Sequence, residues 1–191
     1  MQTETDTTRD TNDVDLVVAA RTDRGALGRL YDIYYPPIFR HCLRRLFLRS
    51  VAEDVTSEVF LRVARQIPRF AGATHDNFVR WVHAIATNEI NATLRQGRRR
   101  AQLLEEAARS KAIHVADPSA NATGLAALDW PRVYEALLTL KPRDQSIVTL
   151  RFFEDMPHEQ IADILNMRTG AVRTALTRAL EKLRRELGVE L

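Results

Sequence analysis

Apolar side chains in this 191-residue chain return every three or four positions, and no long run alternates. A chain patterned that way folds as helices packed along one stripe, not as half-buried strands. The clearest case is Val51, Val55, Val59, Val63 and Ile67, one side of a helix that Pro68 ends. Upstream, Leu27, Leu30, Tyr31, Tyr34, Ile38, Leu43, Leu46 and Phe47 mark a short helix followed by a longer one. Pro36 and Pro37 are expected to kink or interrupt the longer, since proline lacks the backbone donor and crowds the preceding turn. Downstream, Phe78, Trp81, Val82, Ile85, Ile90 and Leu94 mark a helix that runs into a basic cluster at Arg95, Arg98, Arg99 and Arg100. The expected fold class is all-α.

The helical pattern weakens after Ala101, and "HVADPSANATG" is the small, polar, Pro- and Gly-punctuated kind of segment that joins domains. From Trp130 the periodicity returns. The expected organisation is a disordered tail at 1–13, a helical domain at 14–100, a flexible linker at 101–129 and a smaller helical domain at 130–191. With 45% hydrophobic residues the chain can bury two small cores. No apolar run approaches the ~20 residues of a membrane span. The polar, acidic start lacks the apolar core of a signal peptide, and the single Cys42 cannot form an internal disulfide. The expected location is the cytoplasm.

Function is written most clearly in "HEQIADILNMRTGAVRTALTRAL". Ile161, Ala162 and Leu165 lie on a first helix, Asn166 to Arg168 form a tight turn, and Val172 and Leu176 lie on a second helix. That helix-turn-helix would present Arg173, Thr174, Thr177 and Arg178 outward, with Lys182, Arg184 and Arg185 suited to phosphates. An ordinary helical hairpin with a solvated basic face is the plainer alternative. The "RQGRRR" cluster equally suits a helix C-terminus. Asn88, one turn beyond Ile85, could satisfy backbone or read a base edge. Asp54 and Glu58 stack one helical turn apart, which costs a few tenths of a kcal/mol. Either Glu58 recovers this by pairing with Arg62, or the two carboxylates form a docking surface for a basic partner. The five histidines show no zinc spacing with Cys42 or one another, and no phosphate loop or nucleophile elbow is present. No enzyme, metal, cofactor or small-molecule substrate is expected.

From about Asp13 to Leu187 these segments together resemble the extracytoplasmic-function (ECF) group of bacterial RNA polymerase sigma factors of the sigma-70 family. "AEDVTSEVFLRVARQIPRF" is similar to that family's core-polymerase-binding helix, with Ser57 in place of the usual Gln. "FVRWVHAIATNEINATLRQGRRR" is similar to the helix that melts and reads the promoter −10 element, and the helix-turn-helix to the one that reads the −35 element. The resemblance implies that Asp54, Ser57, Glu58 and Leu61 meet the clamp helices of the polymerase largest subunit. It implies that Phe70, Ile85 and Asn88 line a pocket for a flipped −10 base, with Arg95, Arg98 and Arg99 beside it, and that Trp81 packs helices. For the −35 element it implies Arg168, Arg173, Thr174, Thr177, Arg178 and Lys182. The loop "FAGATHDNF" is about two residues longer than the family's usual form, and Ala175 and Leu180 stand where arginines are common. The implied partners are core RNA polymerase and promoter DNA, with an anti-sigma factor as a further candidate. The rivals are a stand-alone helix-turn-helix regulator that binds duplex DNA without polymerase, and a purely protein-binding adaptor.

Overall fold

A computed structural model describes residues 16–72, 74–96 and 130–188, and these are almost entirely helical, with no strand among them. The expected tail at 1–13 and linker at 101–129 lie outside the described residues. After a helical turn at 16–19, the first half consists of α1 (Arg24–Leu46), α2 (Arg49–Gln66) and α3 (His75–Arg95), with a 3-10 turn at Ile67–Arg69. The second half consists of α4 (Trp130–Thr139), α5 (Pro142–Phe152), α6 (His158–Leu165) and α7 (Thr169–Leu187).

Local chemistry sets the helix ends. The Asp23 carboxylate accepts the free N–H groups of Gly25 and Ala26 at 2.9 and 3.1 Å, which starts α1. Phe47 turns left-handed at φ 62° and closes α1 by donating its N–H to Leu43 O. Pro36 and Pro37 do not interrupt α1, which is helical on both sides of them. The carbonyls left without donors belong to Asp32 and Ile33, which are exposed, so water can satisfy them while buried Tyr34 and Ile38 hold the register. Pro68 does end α2, in the first positions of the 3-10 turn.

The valine stripe faces inward as its spacing requires. Val55, Val59, Val63 and Ile67 are buried with Leu30, Ile38, Phe78, Val82 and Ile90 in one core. Cys42 is fully buried in the same core, where burial pushes its thiol up to about 11. The second core gathers Tyr134, Leu137, Ile147, Leu150, Ile161, Val172 and Leu176. The turn between α6 and α7 rests on Asn166, left-handed at φ 50°, with the Met167 N–H reaching back to Ala162 O at 2.8 Å.

The two halves pack on each other, which the expectation of separate domains on a flexible linker did not include. Phe47 leaves its own half and joins the second core, edge-on to Tyr134 at 5.3 Å. Beside it runs a polar seam. Arg45, 2% exposed, donates to Pro142 O at 3.2 Å, to Gln145 Oε1 at 3.0 Å and to Asn91 Oδ1 at 3.0 Å. Glu154, at the turn after α5, accepts from Arg44 at 3.1 Å and from His41 Nδ1 at 3.2 Å. Farther out, Arg80 of α3 pairs with Asp163 of α6 at 3.1 Å. These are polar residues roughly one hundred positions apart, and hydrophobic periodicity carries no signal for such pairings.

Arg45 binds three acceptors in two helices, α3 and α5, at once, and a point charge on a flexible stem cannot reproduce that fork. Arg45→Ala should lower unfolding stability by about 3 kcal/mol, because it leaves buried acceptors unanswered. Arg45→Lys should recover little of this. Urea denaturation of the three proteins checks it.

Candidate nucleic-acid and protein-docking interfaces

α2 has two faces. The inner face is the valine stripe, together with Ala52, Thr56 and Phe60, whose burial the stripe alone did not reveal. The outer face carries Asp54, Ser57 and Leu61, all exposed, with Glu58 partly covered. Leu61 is 50% exposed, an unusual position for leucine, and Asp54 makes no ion pair among the described residues. Glu58 does meet Arg62, at 3.4 Å, but Arg62 also reaches Glu89 of α3 at 3.0 Å. Thus the plainer reading of the acidic pair holds for Glu58 and not for Asp54.

The residues expected at the −10 pocket separate by burial. Phe70 stacks on Trp81, centroids 4.5 Å apart and planes at 23°, and lies edge-on to Phe78 at 6.1 Å. This pair borders an open hollow of about 330 Å³ whose other walls are Arg65, Gln66, Arg69 and Ala71. Arg65, Arg69 and the role of Trp81 as a wall were not singled out for this site in the sequence. The basic-aromatic run "ARQIPRF" was the signal available. Trp81, Ile85 and Asn88 follow one another at helical spacing, so all three lie along one row of α3. Ile85 belongs to the core and Asn88 is exposed. Arg95 is exposed in the last turn of α3, whereas Arg98 and Arg99 lie outside the described residues.

The Phe70–Trp81 stack depends on Gly72. A Cβ at Gly72 would lie 2.4 Å from Phe70 Cζ and 2.7 Å from Asn77 Cβ, so only glycine lets the loop pass there. The Gly72 carbonyl in turn accepts from Arg21 at 2.8 Å. The loop leads into α3, whose first turn Thr74 caps by accepting the Asn77 N–H at 3.1 Å.

On α7, Arg173, Thr174, Thr177 and Arg178 are exposed, and so is Arg168 at its N-terminus. Both threonine hydroxyls donate back to carbonyls one turn earlier, Thr174 to Gly170 O and Thr177 to Arg173 O. Arg173 leans on Glu159 of α6 at 3.3 Å, an exposed and therefore weak pair. Lys182 departs from expectation. Its Nζ donates to Thr139 O at 2.6 Å, closing the C-terminus of α4 instead of projecting toward a phosphate.

Profiles of two known families match the chain in order: sigma-70 region 2 over residues 30–100 and sigma-70 region 4 over residues 131–183. SigD of Mycobacterium tuberculosis, an ECF RNA polymerase sigma factor, is 30% identical over 181 residues, covering 91% of this chain and 84% of SigD. The chain belongs to the ECF sigma factors. Its role is that of an alternative sigma factor in transcription initiation. BldN of Streptomyces coelicolor, another ECF sigma factor, is 32% identical over 169 residues; the match spans 85% of this chain and 60% of BldN. Among solved structures, CnrH in complex with the cytosolic domain of CnrY superposes with TM-score 0.68 at 18% identity, covering 94% of this sigma factor and 99% of CnrH. RpoE in complex with the anti-sigma factor NepR, from Bartonella quintana, gives 0.65 at 19% identity, covering 86% and 98%. At such identities these two likenesses speak for the fold alone. No helix among the described residues of the sigma factor is long and apolar enough to cross a membrane.

Gly72→Ala should push Phe70 off Trp81 at a cost of about 1–3 kcal/mol, the range for forcing extra volume into a filled site. Tryptophan fluorescence should report the loss of the stacked ring. An unchanged spectrum and unchanged stability would show that the loop yields without disturbing the aromatic pair.

Proposed function

We propose that this sigma factor docks on core RNA polymerase through the outer face of α2, captures a −10 base beside Phe70 and Trp81, and reads the −35 element with the outer face of α7. The observation that carries the reading is that Leu61, half exposed, and Asp54, which makes no ion pair among the described residues, share a helix whose opposite face is committed to the core. An apolar contact with carboxylates on its N-terminal side suits a basic helical partner. Asp54, Ser57, Glu58 and Leu61 are the contact residues on this reading.

The hollow by Phe70 combines two aromatic rings with Arg65 and Arg69 at its rim. That chemistry fits an unstacked base and the phosphate attached to it. Asn88, exposed farther along the same row of α3, supplies amide groups that can pair with a base edge, while Ile85 supports the row from the core. Arg95, Arg98 and Arg99 follow as phosphate contacts. On α7, Arg173 and Arg178 reach base edges, and Thr174 and Thr177 lie between them; Arg168 meets backbone at the helix N-terminus.

α6 packs on α3 in this structure, so the −10 helix is partly covered by the −35 module. Strand opening therefore requires the halves to part. An anti-sigma protein is a second class of partner. CnrH and RpoE, which share the fold, were solved bound to CnrY and NepR.

Asp54→Lys with Glu58→Lys should abolish co-purification with core polymerase and leave helical content unchanged, at about 1–3 kcal/mol for each contact reversed. Retained association would remove α2 from the docking surface. On a promoter with a strong −35 element, Arg178→Ala should lose about 1–3 kcal/mol of discrimination in holoenzyme binding. Lys182→Ala, whose ammonium serves Thr139, should instead leave the salt slope of DNA binding unchanged and lower stability slightly.

A further inference from the structure

His41 of α1, His83 of α3 and Glu154 beyond α5 converge on one point of the polar seam. One ligand atom from each lies within 4.8 Å of the others, and His41 and His83 are 1% and 6% exposed. The arrangement contains an unanswered polar atom. His83 Nδ1 is 2.9 Å from Val79 O, and a carbonyl can only accept, so the ring proton sits on Nδ1. The lone pair on Nε2 then faces Glu154 Oε2, 3.8 Å away, with no hydrogen-bond partner. Two acceptors face each other in a largely buried interface, and something electropositive belongs between them.

A bridging water does not fit well, since two hydrogen bonds of ordinary length span about 4.5 Å when they meet at the tetrahedral angle. A metal ion fits better. Ligand atoms around a tetrahedral zinc lie about 3.3 Å apart, given metal-ligand distances of about 2.0–2.1 Å. The His83 Nε2–Glu154 Oε2 separation of 3.8 Å is nearer that value than the span of a bridging water, and His41 offers a ligand atom within 4.8 Å of both partners. We propose that His41, His83 and Glu154 form a site for a divalent transition metal of the zinc class, which ties the second half of the chain to the first. Two imidazoles and one carboxylate are a borderline donor set that suits zinc or cobalt(II), with a fourth position left to water.

The second shell is already in place. Val79 O fixes the tautomer of His83, and Arg44 holds Oε1 at 3.1 Å, leaving Oε2 toward His83. His41 ligates by shifting its Nδ1 proton to Nε2. Two ligands come from the first half and one from the second. The ion therefore binds only when the halves are together, and binding and closure are one equilibrium.

The test uses the full chain, stripped with EDTA and titrated with Zn²⁺ against a chromogenic chelator, then with Co²⁺ followed by visible absorption. The expected result is a single equivalent, the intense bands of four-coordinate cobalt, a higher melting temperature and a smaller radius of gyration with zinc. His83→Gln and Glu154→Gln should each weaken binding about tenfold or more. Circular dichroism verifies folding, and His41→Asn replaces any variant that fails it. Binding well below one equivalent would overturn the proposal and assign the gap to a proton on His83. A full equivalent that survives both substitutions would also overturn it, by placing the ion on surface histidines such as His75 or His158.

Discussion

A charge taken out of water has to be answered by partners, and in this sigma factor the answers cross between the two halves of the chain. Arg45 is as buried as the leucines around it, yet two of its three acceptors belong to the other half. Glu154 stands in the mirror situation, held by His41 and Arg44. Both draw partners from across the interface between the halves. Separating the halves exposes both to water, which offsets part of the loss because the polar groups regain hydration. A polar seam of this kind specifies one mating geometry while leaving the mated state less stable than an apolar interface of equal area. That is a suitable property for two modules that, on the proposed reading, contact DNA separately.

How much of this was legible in the sequence follows from what periodicity can report. The valine stripe of α2, the helix-turn-helix and the left-handed Asn166 are all local: each depends on residues within a turn or two, and each appears in the structure as the spacing requires. The uninterrupted α1 was missed because proline's cost depends on whether the orphaned carbonyls face water, and that is fixed by tertiary burial. Lys182 was assigned outward because its position on α7 is outward. What redirects it is the end of α4, forty-three residues earlier in sequence, which supplies an open carbonyl. The cluster at His41, His83 and Glu154 lies on three separate elements, so no motif spacing could bring it to notice.

The candidate site shows the same division. The exposure of Asp54, Ser57 and Leu61 follows directly from the phase of the stripe on the other side of α2. By contrast, the hollow beside Phe70 brings Arg65 and Arg69 against Trp81 of another helix, and the Phe70 ring in its wall is crossed closely by a loop that only Gly72 allows. Family resemblance pointed to Phe70, and geometry adds the arginines. Ile85, named from the same resemblance, acts from inside the core, where it sets the position of the row that Asn88 extends.

The outer face of α2 stays open while α6 covers part of α3. This asymmetry imposes an order on events. On the proposed docking, polymerase need not wait for a sparsely populated open form, since the outer face of α2 is presented by the folded-together chain. Capture can therefore proceed at the rate of encounter, with parting of the halves as a later, first-order step on the enzyme. An encounter that precedes rearrangement saturates kinetically as polymerase concentration rises, and the plateau measures the opening rate of the seam itself.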